Sequence, residues 1–270
     1  MNDNINIKNI INEAVCNIIK KSSSKDKIDK LNSKHNLKMH FIPKRYRIFG
    51  GLLQSMNIQF GNFIEELMKI IISNEEKYKI IDEYSGKKSN KFKISKSNET
   101  RIDNYITDCQ TAFNTYEQLE NAFKNLQKEI LNDIKNNTEN INNSFEHDID
   151  LLFEDKETSI IYYLEIKYND DHDTGKFVDI NRKFIKTFAY LSNEFKTRKI
   201  MPILFFFNNK KMKGNIYIPE DSNIRRGKKF FDEFLSINYD NIDNYLQNLS
   251  ESIEVLKMFD DLYKKIMSIK

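Results

Sequence analysis

Residues 147–168 read HDIDLLFEDKETSIIYYLEIKY, and the fold turns on this stretch. Two apolar runs, residues 149–153 and 160–167, have the length and composition of strands, and a polar run at 154–159 separates them. That pattern predicts an antiparallel hairpin from the middle of a sheet. Strand side chains alternate faces, so Glu165 and Lys167 share one face and Ile166 takes the other. Asp148 and Asp150 share a face of the first strand in the same way, and the hairpin sets the two pairs across from one another. The result is two or three carboxylates and one ammonium on one face of strands apolar enough to be buried. Unpaired buried charge is costly, so the arrangement needs a partner, a metal or a wet cleft. Converging hard oxygens suit Mg²⁺, and a neighbouring lysine can orient water or stabilise developing negative charge. A solvated hairpin with a cross-strand salt bridge is the plainer alternative.

Asp150, fourteen intervening residues and then Glu165-Ile166-Lys167 resembles the PD-(D/E)xK nuclease motif. The proline that gives the motif its name is absent, Ile149 standing before Asp150. Upstream, residues 53–72 hold Phe60, Phe63, Ile64, Leu67, Met68 and Ile71 at helical spacing. Gly61 within that stripe predicts a close approach, since glycine inside a helix costs about 1 kcal/mol relative to alanine. Many PD-(D/E)xK nucleases carry a helix ahead of the motif that lends a glutamate to the site. The run FGNFIEE at 60–66 resembles that helix, with Glu65 in the role and Glu66 beside it. An ordinary core helix with two solvated glutamates is the alternative.

Elsewhere the chain is helical in pattern. Helices are expected over 5–20, over 103–136 as one unbroken element, over 177–197 and in the tail 242–269. Residues 25–40 are mixed and basic, Gly50-Gly51 reads as a turn, and 83–101 as an exposed basic loop or hairpin. Residues 202–208 read as a strand buried on both faces. The acidic loop at 169–175, with His172, lacks the glycine and glutamate positions of an EF-hand and reads as the mouth of the site.

With 43 basic against 40 acidic residues the chain is no polycation, and any nucleic-acid surface has to come from local clusters. Lys44, Arg45 and Arg47 form one such cluster. Lys183 and Lys186, with Lys176 and Arg182, are expected on the outer side of the 177–197 helix, where they would face DNA. Arg225, Arg226, Lys228 and Lys229 surround Gly227, and arginine forks at that point suit guanine edges or phosphates. Two distant cysteines give no disulfide framework or zinc site. The sequence shows no apolar run long enough for a membrane, so a cytoplasmic location is expected.

Taken together these features resemble a type II restriction endonuclease of the PD-(D/E)xK superfamily. The resemblance implies an α/β core, a mixed central sheet flanked by helices over about residues 50–210, with mainly helical extensions. One nuclease domain is expected over 1–270, with an N-terminal extension at 1–49 and a C-terminal helical segment at 220–270. It further implies Mg²⁺-dependent, sequence-specific hydrolysis of double-stranded DNA leaving 5′-phosphates. Asp150 and Glu165 would hold Mg²⁺, Lys167 would act on the attacking water and Glu65 would assist. A homodimer is implied, and a DNA methyltransferase as functional partner. Three other readings stay open here: a less specific nuclease of repair or recombination, a non-catalytic DNA-binding module, and a helical interaction protein.

Overall fold

A computed structural model describes residues 6–88, 90–113, 115–136, 143–171 and 173–269. His172 and most of the link at 137–143 lie outside them. In chain order the elements are α1 (Ile7–Ser22), α2 (Lys25–Asn36), α3 (Lys44–Ser73), β1 (Tyr78–Ile80), β2 (Lys91–Ile94), α4 (Lys96–Thr111), α5 (Tyr116–Asn136), β3 (Asn143–Glu146), β4 (Leu151–Asp155), β5 (Ile161–Lys167), α6 (Thr174–Glu194), β6 (Ile200–Phe206), α7 (Glu220–Asn223), β7 (Ile224–Arg226), α8 (Gly227–Phe234), α9 (Tyr239–Ser250) and α10 (Ile253–Met267).

The chain forms two compact units. One comprises Glu65–Ile237 and contains a five-stranded sheet of order β1-β4-β5-β6-β7. The expected hairpin is its centre, β4 running antiparallel to β5 with Leu151 opposite Leu164. β1 adds antiparallel to β4, while β6 and β7 add in parallel on the other side. The sheet is therefore mixed, with β5 at the change of direction. In the hairpin loop Asp155 accepts the amides of Glu157 and Thr158 at 3.0 and 2.8 Å, which holds its carboxyl below the ordinary range. A second small sheet pairs β2 with β3.

Each face of the main sheet has its own cover. Tyr163 of β5 stacks on Phe184 of α6, within a core that also takes Phe123 and Ile130 of α5 and Ile102 and Ile106 of α4. On the opposite parity Tyr162, Phe153, Phe205 and Tyr78 meet Phe230 and Phe234 of α8. The C-terminal end of β5 carries Glu165 and Lys167.

The other unit, Met1–Ile64 with Asn238–Lys270, is helical around Ile19, Ile48, Leu52, Met56, Val255 and Leu262.

Several sequence expectations are corrected. The stripe over 103–136 belongs to two helices: the backbone turns at Ala112, and Thr115 Oγ1 accepts the amide of Gln118 at the start of α5. The tail divides likewise, with Ser252 capping the amide of Val255. Residues 25–36 are helical although only Ile28 is buried. Gly50-Gly51 is no turn but lies inside α3, where burial of Ile48 and Leu52 outweighs the glycine cost. Gly51 is the close approach: a Cβ there would meet Leu31 at 3.4 Å, whereas one on Gly61 would meet nothing within 4 Å. Of the expected loop or hairpin at 83–101, residues 91–94 form a strand and the part from Lys96 opens α4. The first strand begins at Leu151, Ile149 making only isolated bridges to Ser85 and Gly86. Cys16 and Cys109 are buried free thiols.

Candidate active site

Asp150 stands one residue before β4 and reaches across to the end of β5. Its Oδ2 accepts the backbone amide of Ile166 at 2.7 Å and the ammonium of Lys167 at 3.2 Å. Lys167 Nζ also donates to Glu165 Oε1 at 2.7 Å and to the carbonyl of Ile166 at 2.9 Å. Two carboxylates and one main-chain carbonyl thus converge on a single cation. Strand parity brings Glu165 and Lys167 together, and the cross-strand register brings Asp150 to them.

The second oxygen of Glu165 is held as well. The hydroxyl of Tyr163, two residues back on the same face, donates to Oε2 at 3.1 Å. The imidazole of His147 lies 3.6 Å from that oxygen, and its other nitrogen is 2.8 Å from Thr187 Oγ1 on α6. Glu165 is only 3% exposed, yet its carboxyl is kept below the ordinary range: burial opposes the charge, and Lys167 and His147 outweigh burial. Asp150 goes the other way, pushed up to about 7 by burial and then by the charge of Glu165. Lys167 is half-buried, and the carboxylates around it raise its pKa and keep it charged.

Glu65, on α3, is half-buried and Glu66 is exposed. Burial raises the Glu65 carboxyl, opposed by the charges of Lys167 and Lys87. The helix therefore brings Glu65, rather than its neighbour, into the field of the β5 end. Asp150, Glu165 and Lys167 border an open cleft of about 370 Å³, lined further by Glu146, His147, Asp148 and Lys183. Asp148, at its rim, accepts the amide of Lys88 at 2.9 Å.

Whether a metal suits this site is a question about its donors. Among the described residues no group of three or more His, Cys, Asp or Glu side chains is placed to hold one. The convergent set is two carboxylates and a carbonyl. That set fits a cation which keeps most of its waters, as Mg²⁺ does.

The expected DNA-facing cations are mostly engaged elsewhere. Lys186 does not lie on the outer side of α6. It is 9% exposed and donates to Glu99 of α4 at 2.8 Å, because the α6 face it occupies packs on α4. Arg225 is clamped by Glu233 and donates to the carbonyls of Asp221, Ser222 and Ile224. Arg226 is buried over the ring of Phe206, 5.0 Å from its centroid, and pairs with Glu220 and Asp170. Neither guanidinium is presented as a free fork. Lys183 is half-exposed at the cleft edge, paired with Asp179 at 3.2 Å one turn away. Lys228 is exposed and borders a shallow hollow with Asn209 and Asp232.

Sequence reasoning missed His147, Tyr163 and Thr187. Tyr163 was legible by parity, lying at i−2 from Glu165. Nothing local pointed to Thr187, which reaches the site only through the packing of α6.

A mixed sheet between helices, with carboxylates and a lysine at the end of its central hairpin, is a restriction-endonuclease-like architecture. The comparison with known families specifies it further. The model of the HinfI type II restriction endonuclease family matches residues 3–250, and the chain belongs to that family. It is 60% identical, over all 270 residues of both chains, to the type II restriction enzyme HinfI of Haemophilus influenzae. No solved structure matches it significantly. The chain is thus a type II restriction endonuclease, a site-specific enzyme whose substrate is double-stranded DNA. Among the described residues no helix is long and apolar enough to cross a membrane.

Proposed function

We propose that Asp150, Glu165 and Lys167 form a PD-(D/E)xK centre that hydrolyses DNA phosphodiesters with Mg²⁺ and leaves 5′-phosphates. The observation that carries this is the convergence of Asp150 Oδ2, Glu165 Oε1 and the Ile166 carbonyl on one cation position, marked by Lys167 Nζ. Asp150, Glu165 and that carbonyl would hold Mg²⁺, which supplies a water of lowered pKa and charge neutralisation at the departing 3′ oxygen.

The chain's own groups do the rest. Tyr163 and His147 hold Glu165 Oε2, which leaves Oε1 directed at the cation position. The Ile166 amide fixes Asp150 in the same way. Lys167 orients the attacking water and balances the charge of the five-coordinate phosphate. Glu65 assists through its electrostatic coupling to Lys167. Lys183 at the cleft edge and Lys228 further out contact the DNA. A homodimer matches the two-fold symmetry of a palindromic site. The host is protected by a DNA methyltransferase of the same specificity, and the enzyme works in the cytoplasm.

The test is incubation of unmethylated phage DNA with purified protein, in Mg²⁺ and in EDTA. Discrete fragments are expected in Mg²⁺ alone, and ligase should join them without prior kinase treatment. Asp150→Ala should give none. Cleavage retained in a folded Asp150→Ala protein would overturn the assignment.

A further inference from the structure

The segment joining α2 to α3 holds large apolar side chains out in water, in a stretch of chain that carries cations and no carboxylate. Leu37, Met39 and Phe41 are 89, 102 and 93% exposed. The core of their unit is built from other residues. No Asp or Glu occurs between Asp29 and Glu65, in a chain that has 40 of them. Lys34, Lys38 and Arg45 are exposed in that interval and Lys44 is half-exposed.

The segment is tied down at its base. Arg47 of α3 donates Nη1 to the carbonyls of His35 and Lys38, at 3.2 and 3.4 Å. Arg47, one of the basic cluster at 44–47, thus serves to fix the loop. The amide of Ile42 donates to His40 Nδ1 at 3.0 Å, and the His40 ring stacks on Phe41 with centroids 5.1 Å apart. Gly51 lets α3 lie close against Leu31 of α2. The tip is therefore presented, with its flanks anchored.

The partner that fits must bring negative charge and apolar edges together. A second copy meeting this patch about a two-fold axis would set the same cations against themselves. Duplex DNA offers phosphates, with sugars and base edges between them. We infer that residues 37–46 are a DNA contact of this enzyme. Lys38, Lys44 and Arg45 lie on phosphates, and Met39 and Phe41 against sugars and base edges in a groove. The contact involves none of the groups assigned to hydrolysis, so it stands or falls apart from them.

The experiment is fluorescence anisotropy with a labelled mixed-sequence duplex in EDTA, over a series of salt concentrations. For a Lys38→Gln, Arg45→Gln double variant, the slope of log affinity against log salt should fall in magnitude by about two. A Met39→Ser, Phe41→Ser double variant should keep the wild-type slope and bind about tenfold more weakly, the scale of one aromatic–base contact. All four side chains are outside the core, so melting curves should match wild type. A wild-type slope in the first variant, or wild-type affinity in the second, overturns the proposal. A wild-type slope in the first variant, together with a change in sedimentation of the second, would overturn it in favour of a contact between copies.

Discussion

Lys167 Nζ lies 2.7 Å from Glu165 Oε1, so the ammonium serves as an internal counter-ion for a carboxylate that is 3% exposed. It is bonded to the same three oxygens that would receive a metal.

Removing that ammonium should therefore be felt before any chemistry. Lys167→Met leaves the buried Glu165 and the half-buried Asp150 with no cation between them, and breaking such a pair costs about 3 kcal/mol. The metal-free variant should melt several degrees below wild type. Added Mg²⁺ should recover more of the melting temperature in the variant than in wild type, because no ammonium holds the oxygens. Thermal melts with and without Mg²⁺ check this, and equal Mg²⁺ shifts would contradict it. Cleavage should be lost in either condition.

Tyr163→Phe deletes the hydroxyl bonded to Glu165 Oε2 and should cost about 1–2 kcal/mol of stability. Since that hydroxyl fixes how Glu165 is turned, the Mg²⁺ concentration for half-maximal cleavage should rise severalfold. If Mg²⁺ dependence stays as in wild type, the hydroxyl only satisfies the core.

The central hairpin was legible because a period of two assigns faces from spacing alone: Asp150, Glu165 and Lys167 follow from it directly. Glu65 was legible only as one of two adjacent residues; packing makes it the half-buried one and leaves Glu66 exposed. Lys186, Arg225 and Arg226 were not. Their carboxylate partners, Glu99, Glu233, Glu220 and Asp170, come from other segments, and only packing reveals that those cations are occupied. The break between α4 and α5 was hidden for a related reason. Cys109, Leu119 and Phe123 are all buried, so the apolar stripe continues across a turn that the pattern cannot register.

Lys186 and Lys183, three residues apart on α6, should separate cleanly on substitution. Lys186→Ala breaks the contact with Glu99, which keeps Lys96 and Asn143 as partners. It should cost about 2 kcal/mol by denaturant unfolding and leave the salt slope of DNA binding as it was. Lys183→Ala should do the reverse, lowering the slope by about one with little effect on unfolding.

Asp170 is 1% exposed and accepts the amides of Met212 and Gly214 as well as Arg226 Nη2 at 2.9 Å. Burial alone would raise its carboxyl, but those donors and the Arg226 charge bring it below the ordinary 3.8. A depressed carboxylate contributes stability that is present above the unfolded pKa and lost as pH falls through the folded one. Asp170→Asn should therefore destabilise by about 3 kcal/mol at pH 7, and the gap from wild type should close below about pH 4. Urea unfolding at both pH values measures it. A constant gap would mean that the amide geometry matters and the charge does not.

The strand order has a consequence for how the nuclease comes into being. β5 lies between β4 and β6, and β6 in turn takes β7 on its far side. A nascent chain that has emerged only through Lys167 already contains Glu65, Asp150, Glu165 and Lys167. It nevertheless has β5 as a bare apolar edge, because the parallel partner at Ile200–Phe206 has not been made. The proposed centre thus takes shape late in synthesis, and a prematurely ended chain carries its four side chains without the sheet that aligns them. A chain ended before Ile200 is therefore expected to leave DNA uncut, although it contains all four residues.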